Sequence, residues 1–214
     1  MSLRTILVLN PKGGCGKTTL AVNIASFYAN QAKSVVLADF DPQGSSMEWL
    51  QVRQDKYPQI VGIPAWKQEL RLPKAVDYLV IDAPAAVRGR DVSGLIQRTQ
   101  SVVMPVLPSP IDIRAAAHFI HDILLNGRVS RNKTRLAVVA NRVRENTLVY
   151  QKLQHFLKRL DIPFIATLRD TQNYIRAADQ GIGIFEMAPS MVYQDLEQWK
   201  SLTRWLNSKR SLPA

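Results

Sequence analysis

Residues 6–20 read ILVLNPKGGCGKTTL: an apolar run, a glycine-rich turn, and the opening of a helix with an apolar face. Strand, tight turn and helix in that order are the context a phosphate-binding loop requires. Gly13, Gly14 and Gly16 let the backbone fold sharply, so that successive N–H groups around Cys15 face phosphate oxygens. Lys17 adds a point charge, Thr18 offers a hydroxyl to Mg2+, and Thr19 continues the same contact surface. A helix beginning at Thr18 aims the positive end of its dipole at the same anion.

Outward from the loop, Leu20, Ala21, Ile24, Ala25 and Tyr28 recur at helical spacing, which predicts a helix over 18–31 packed on a sheet. The β-branched run SVVLA (34–38) ends on Asp39-Phe40-Asp41-Pro42-Gln43, placing acids at the carboxyl end of a strand, where open parallel sheets bind ligands. A second helix is expected over 44–54. Residues 56–74, interrupted by Pro58, Pro64 and Pro73, read as irregular surface. Buried strands are expected at 78–81 (before Asp82), 101–107, 136–140 and 162–166, and helices over 112–125, 145–160 and 171–180. The alternation predicts an α/β fold: a mostly parallel twisted sheet with helices on both faces.

The chain has 214 residues, 46% of them hydrophobic and 21% charged, which suits one domain over 1–214 and excludes disorder. Lys and Arg outnumber acids 28 to 17, giving a net charge of +11, so a polyanionic partner is expected. The single cysteine, Cys15, cannot form an internal disulfide, which fits a reducing cytosol. The first apolar run is too short for a signal peptide, no stretch approaches a membrane span, and no repeat or linker divides the sequence. A cytoplasmic protein is expected. His118 and His121 lie three apart on a predicted helix, but no third ligand group accompanies them, so they read as an exposed helix face.

Against the general pattern G-x-x-x-x-G-K-[ST], the loop has Pro11 in place of the first glycine and an additional lysine, Lys12. In this form, K-G-G-x-G-K-T-T, it resembles the deviant loop of the ParA/MinD family of nucleotide-switched positioning ATPases. The resemblance extends through DFDPQ (39–43), VIDAPA (80–85), PVLPSPID (105–112) and Asn141-Arg142 to the last helix. It implies ATP and Mg2+ as ligands and an ATP-dependent homodimer in which Lys12 reaches the partner subunit's nucleotide. Asp41 is then the residue that orients the attacking water. Asp39 supports the metal site, and Asp82 belongs to the Mg2+ shell with Thr18. Asn141 and Arg142 stand at the adenine end of the site. A capping aspartate at Asp82 and a turn-forming asparagine at Asn141 are the plain alternatives. Lys12 and Lys17 stabilise the γ-phosphate, and hydrolysis is slow until a partner perfects the geometry. One cysteine is too few for the iron–sulfur relatives of the family. The winged-helix region of longer relatives has no counterpart before the first predicted strand.

From Arg114 to Arg176 twelve Lys or Arg face four acids, contributing +8 of the +11. Arg142, Arg144, Lys152, Lys158, Arg159, Arg169 and Arg176 are the candidates for a phosphate-contacting face on nonspecific DNA; ordinary solvated helix faces are the alternative. In the last helix, Val192, Leu196, Trp199, Leu202, Trp205 and Leu206 share one broad face. That face suits a final core helix or, as in MinD-like relatives, a membrane-surface anchor, with core packing preferred. The family also implies a cargo-bound adaptor that stimulates hydrolysis, and nucleoid association. The rival readings are a MinD-like membrane-associated ATPase and a small-molecule metabolic ATPase on the same fold.

Overall fold

The first strand, β1 (Arg4–Val8), has Ile6 and Val8 on one side and Leu7 on the other, all fully buried. A strand apolar on both faces must be covered on both, and this decides the architecture. The computed structural model describes residues 3–85, 90–125, 134–144, 147–159 and 162–213. In chain order the elements after β1 are α1 (Lys17–Ala29), β2 (Val35–Asp39), α2 (Ser45–Gln51), β3 (Val61–Pro64), β4 (Tyr78–Asp82), α3 (Arg90–Gln97) and β5 (Ser101–Val106). They continue with α4 (Pro110–Leu125), β6 (Arg135–Val143), α5 (Leu148–Arg159), β7 (Phe164–Arg169), α6 (Asn173–Asp179) and α7 (Pro189–Leu206). Two short 3-10 turns, 184–186 and 209–211, flank α7.

The strands form one sheet in the order β3-β2-β4-β1-β5-β6-β7, with every pairing parallel. On one face Ile6 and Val8 pack with Leu20, Ile24 and Tyr28 of α1 and with Trp199 and Leu202 of α7. On the other, Leu7 packs with Ile96 of α3, Ile120 of α4 and Leu153 of α5. Each such fully buried aliphatic side chain stabilises the fold by about 1.5–3 kcal/mol relative to exposure.

Three expectations change. The 56–74 segment holds a strand: β3 pairs with β2 from Val36↔Val61 to Asp39↔Pro64. Pro64 lacks an N–H, which the outer strand of a sheet tolerates. Gly62 leaves room for α2, since a Cβ there would lie 2.5 Å from Leu50 Cδ1. Helix α3, in a stretch given no element from sequence, packs Val92 and Ile96 into the core. Strand β7 begins later than expected and β6 runs on to Val143, with a register shift between Ala140 and Val143.

Helix α7 lies against β7, and Val192, Trp199, Leu202, Trp205 and Leu206 are buried there. The apolar face that a lipid surface would take is covered by the protein itself. Among the described residues no helix is long and apolar enough to cross a membrane.

Candidate nucleotide site

The loop between β1 and α1 is held from inside. Asn10 Nδ2 donates to Pro105 O at 2.5 Å, and Asn10 Oδ1 accepts the Lys12 N–H at 2.9 Å. Gly14 and Gly16 take positive φ, 74° and 93°, which other residues rarely adopt. At Gly16 space is also limiting, because a Cβ would stand 2.2 Å from Asn141 Nδ2. Lys17 is buried and its Nζ donates to Lys12 O at 3.1 Å, curling the ammonium into the loop.

Asp39 and Asp82 end neighbouring parallel strands in register, so both carboxylates reach the same edge as the loop. Both are buried. Asp39 accepts the N–H groups of Asp41 at 2.9 Å and Ser46 at 3.0 Å, one on each oxygen. Burial raises its pKa, and these N–H groups lower it. Through these bonds Asp39 shapes the turn that carries Asp41 and anchors the start of α2. Asp41 accepts from Gln43 N at 3.0 Å and Ala85 N at 3.2 Å.

Burial pushes the pKa of Asp82 up to about 6, against the hydroxyls of Ser46 and Thr18 and the charge of Lys17, which lower it. Ser46 Oγ donates to Asp82 Oδ2 at 2.7 Å. The other oxygen, Oδ1, is buried and has no hydrogen-bond partner among the described residues. A buried carboxylate oxygen short of a partner, beside a threonine hydroxyl, fits a divalent cation or one of its waters. No three His, Cys, Asp or Glu side chains converge among the described residues, so such an ion would keep several waters, as Mg2+ does.

The loop and Asp41 open on a cleft of about 530 Å³, while Asp39 and Asp82 are buried and are not among its lining residues. Gly13, Gly14, Gly16, Lys17, Thr18, Thr19 and Asp41 line one end; Asn141, Arg142, Asp170, Gln172 and Tyr174 line the other. Lys12 is not among the lining residues. Cys15 turns its buried thiol to Lys12 O at 3.2 Å, so only its backbone serves the loop. Asn141, which lines the cleft, donates Nδ2 to Cys15 O at 2.8 Å and so also braces the loop. Arg142, at φ 52°, lies with Asn141 within the register shift between Ala140 and Val143 of β6.

The cations expected to form one DNA face do not share one. Arg142, Arg144 and Arg169 line the cleft. Arg142 and Arg144 both pair with Asp170, at 3.3 and 3.2 Å, and Arg169 binds the buried Asp195. Lys152 and Lys158 are exposed on α5, whose apolar side covers one sheet face, whereas Arg176 is on α6, whose Tyr174 packs toward the other. The Arg159 side chain lies outside the described residues. Asn10, Ser46 and the 170–175 stretch were not singled out from sequence. A serine just after D-x-D-P-Q-G was the readable signal for Ser46.

A model of the CobQ/CobB/MinD/ParA nucleotide binding domain matches residues 6–184. The chain is 28% identical over 191 residues to maintenance of carboxysome distribution protein A of Halothiobacillus neapolitanus, covering 86% of this chain and 87% of that one. It is 30% identical over 194 residues to the protein of the same name in Gloeobacter kilaueensis, covering 86% and 84%. A Cyanothece McdA variant solved with ATP matches with a TM-score of 0.70 at 17% identity, over 94% of this chain and 96% of the other.

Proposed function

This chain belongs to the CobQ/CobB/MinD/ParA nucleotide-binding family and is an ATP hydrolase of the ParA/MinD type, and from that premise we propose that it is a ParA-like positioning ATPase. It closes into a homodimer around ATP and Mg2+, holds nonspecific DNA while closed, and releases it after hydrolysis stimulated by a cargo-bound adaptor. The chain acts as one ATPase domain over 1–214, in the cytoplasm and on the nucleoid.

The observation that carries this reading is the convergence of Lys17, Thr18 and Asp41 on one cleft, with Asp82, buried and interacting with the Thr18 hydroxyl, behind it. Lys17 and the loop N–H groups hold phosphate, Thr18 and Asp82 hold the ion that neutralises it, and Asp41 orients water. Lys12, at the loop but not in its own chain's cleft, is free to serve a second subunit. The names of the two curated relatives favour a protein body as cargo.

Binding to random-sequence duplex DNA, measured with ATP, with ADP and without nucleotide across a salt series, tests the reading. Tight binding with ATP that weakens steeply with salt is expected. Equal binding in all three states would remove the nucleotide switch.

A further inference from the structure

A parallel sheet has two unlike edges. All the groups of the ATP cleft stand at the carboxyl ends of the strands. The opposite, amino-terminal edge is capped by the segment that follows α7. Three strands and the end of α1 supply the contacts, each strand through its first residue. Arg4 of β1 donates to Leu206 O at 3.1 Å and Ser211 Oγ at 3.0 Å. Ser101 of β5 donates to Ser211 O at 2.6 Å, and Arg135 of β6 to Leu212 O at 3.0 Å. Tyr28, near the end of α1, donates to Asn207 Oδ1 at 3.1 Å.

The cap is thereby fixed, and its own cations point outward. Arg204, Lys209 and Arg210 are exposed, and from Lys200 onward the sequence contains no acid. Arg98, exposed just before β5, and Lys33, just before β2, extend the same edge; Asp77, just before β4, also lies there, its carboxylate accepting the Ser34 N–H. Adjacent strands lie about 4.8 Å apart, so cations distributed over this edge span a length comparable to several phosphates of a duplex. Nucleotide in the cleft is a sheet's length away and cannot be their partner. No base-reading motif accompanies these cations in the sequence, so charge is their recognition chemistry.

We infer that the amino-terminal edge of the sheet, around Arg204, Lys209 and Arg210, is the surface that holds the phosphate backbone of duplex DNA. This rests on the DNA-binding reading above and locates it. Because the edge is built without the cleft's help, one subunit binds DNA weakly whatever its nucleotide. ATP acts by joining two such edges in one dimer, which raises avidity with no new contact.

The test compares wild type with Arg204→Ala/Lys209→Ala/Arg210→Ala and with Lys152→Ala/Lys158→Ala, by fluorescence anisotropy on a random-sequence duplex over a salt series with ATP. All five positions are exposed, and basal ATPase without DNA, expected unchanged in both variants, confirms that they fold. The triple variant should lose at least about tenfold in affinity near 0.1 M salt. Its plot of log K against log salt should be shallower by roughly 2–3, about one per lost phosphate contact. The α5 double variant should match wild type. A triple variant that binds like wild type, or an α5 variant that alone loses binding, overturns the location and leaves the DNA reading standing. A wild type that binds no duplex in any nucleotide state overturns both. A triple variant that keeps duplex binding and loses only binding to phosphatidylglycerol vesicles overturns the location alone.

Discussion

Asp82 is held where its charge is least welcome: buried, with one oxygen bonded to Ser46 and the other without a partner among the described residues. Its pKa, about 6 against an ordinary 3.8, sets the sign of a pH effect. Between these values the folded chain keeps a proton that the unfolded chain has released. Stability therefore falls as pH rises from about 4 to about 6 and is flat above, by up to ~3 kcal/mol. Asp82→Asn removes that penalty. Urea denaturation at pH 7.5 without nucleotide should show the variant more stable by about 1–3 kcal/mol, the gain shrinking toward pH 4. Its ATP turnover should be abolished. Lys17→Ala should abolish nucleotide binding, measured by calorimetry, since the charge at the loop's centre goes with it. The identities of the loop residues were readable because phosphate binding requires glycine, lysine and a hydroxyl at fixed offsets. That Asn141 braces Gly16 was not, because the two are joined only once β6 lies beside the loop.

Helix α2 transmits position from one side of the cleft to the body of the protein. Its first turn carries Ser46, and the turn before it carries Asp41. Beyond its last turn, Arg53 is locked to Glu186 at 2.5 Å, with side-chain exposures of 5% and 2%. Arg53 also donates to Gly181 O and Pro58 O, and Trp49 Nε1 donates to Ile182 O at 3.3 Å. Breaking a buried pair leaves a charge without compensation. Arg53→Ala should therefore lower stability by about 3–5 kcal/mol in urea denaturation. ATP turnover should fall as well, through the displaced Asp41 turn. At this scale the sequence is legible where an element makes its own signal. Strands β1, β2, β4 and β5 are apolar runs buried on both faces, and α1 repeats at helical spacing. Strand β3 makes no such signal: four residues, two of them exposed, become a strand only because β2 offers an open edge.

Across the whole molecule, the direction of the strands sorts charge by function. In the proposed reading, groups at the carboxyl edge address nucleotide and the opposite edge holds a longer anion. Sequence reported where cations are dense in the chain, which is why Arg142, Arg144 and Arg169 were grouped with Lys152 and Lys158. Which end of a strand each cation occupies is a property of topology, and density along the chain does not reveal it. The proposed switch also makes a prediction at this scale. Asp41→Ala should bind ATP, fail to turn it over, and elute as a dimer in gel filtration with ATP but as a monomer with ADP. Elution as a monomer with ATP would show that hydrolysis is not what separates the subunits.

The bond from Cys15 to Lys12 O gives the phosphate loop a clock. Cys15 is the chain's only cysteine, it is buried, and burial raises the pKa of its thiol. A thiol reagent can reach it only while the loop is open, so labelling reports the fraction of time this loop spends apart from its native bonds. Bound nucleotide, pinning the same backbone, should slow that labelling more the further its concentration exceeds Kd, and no engineered cysteine is needed to watch it.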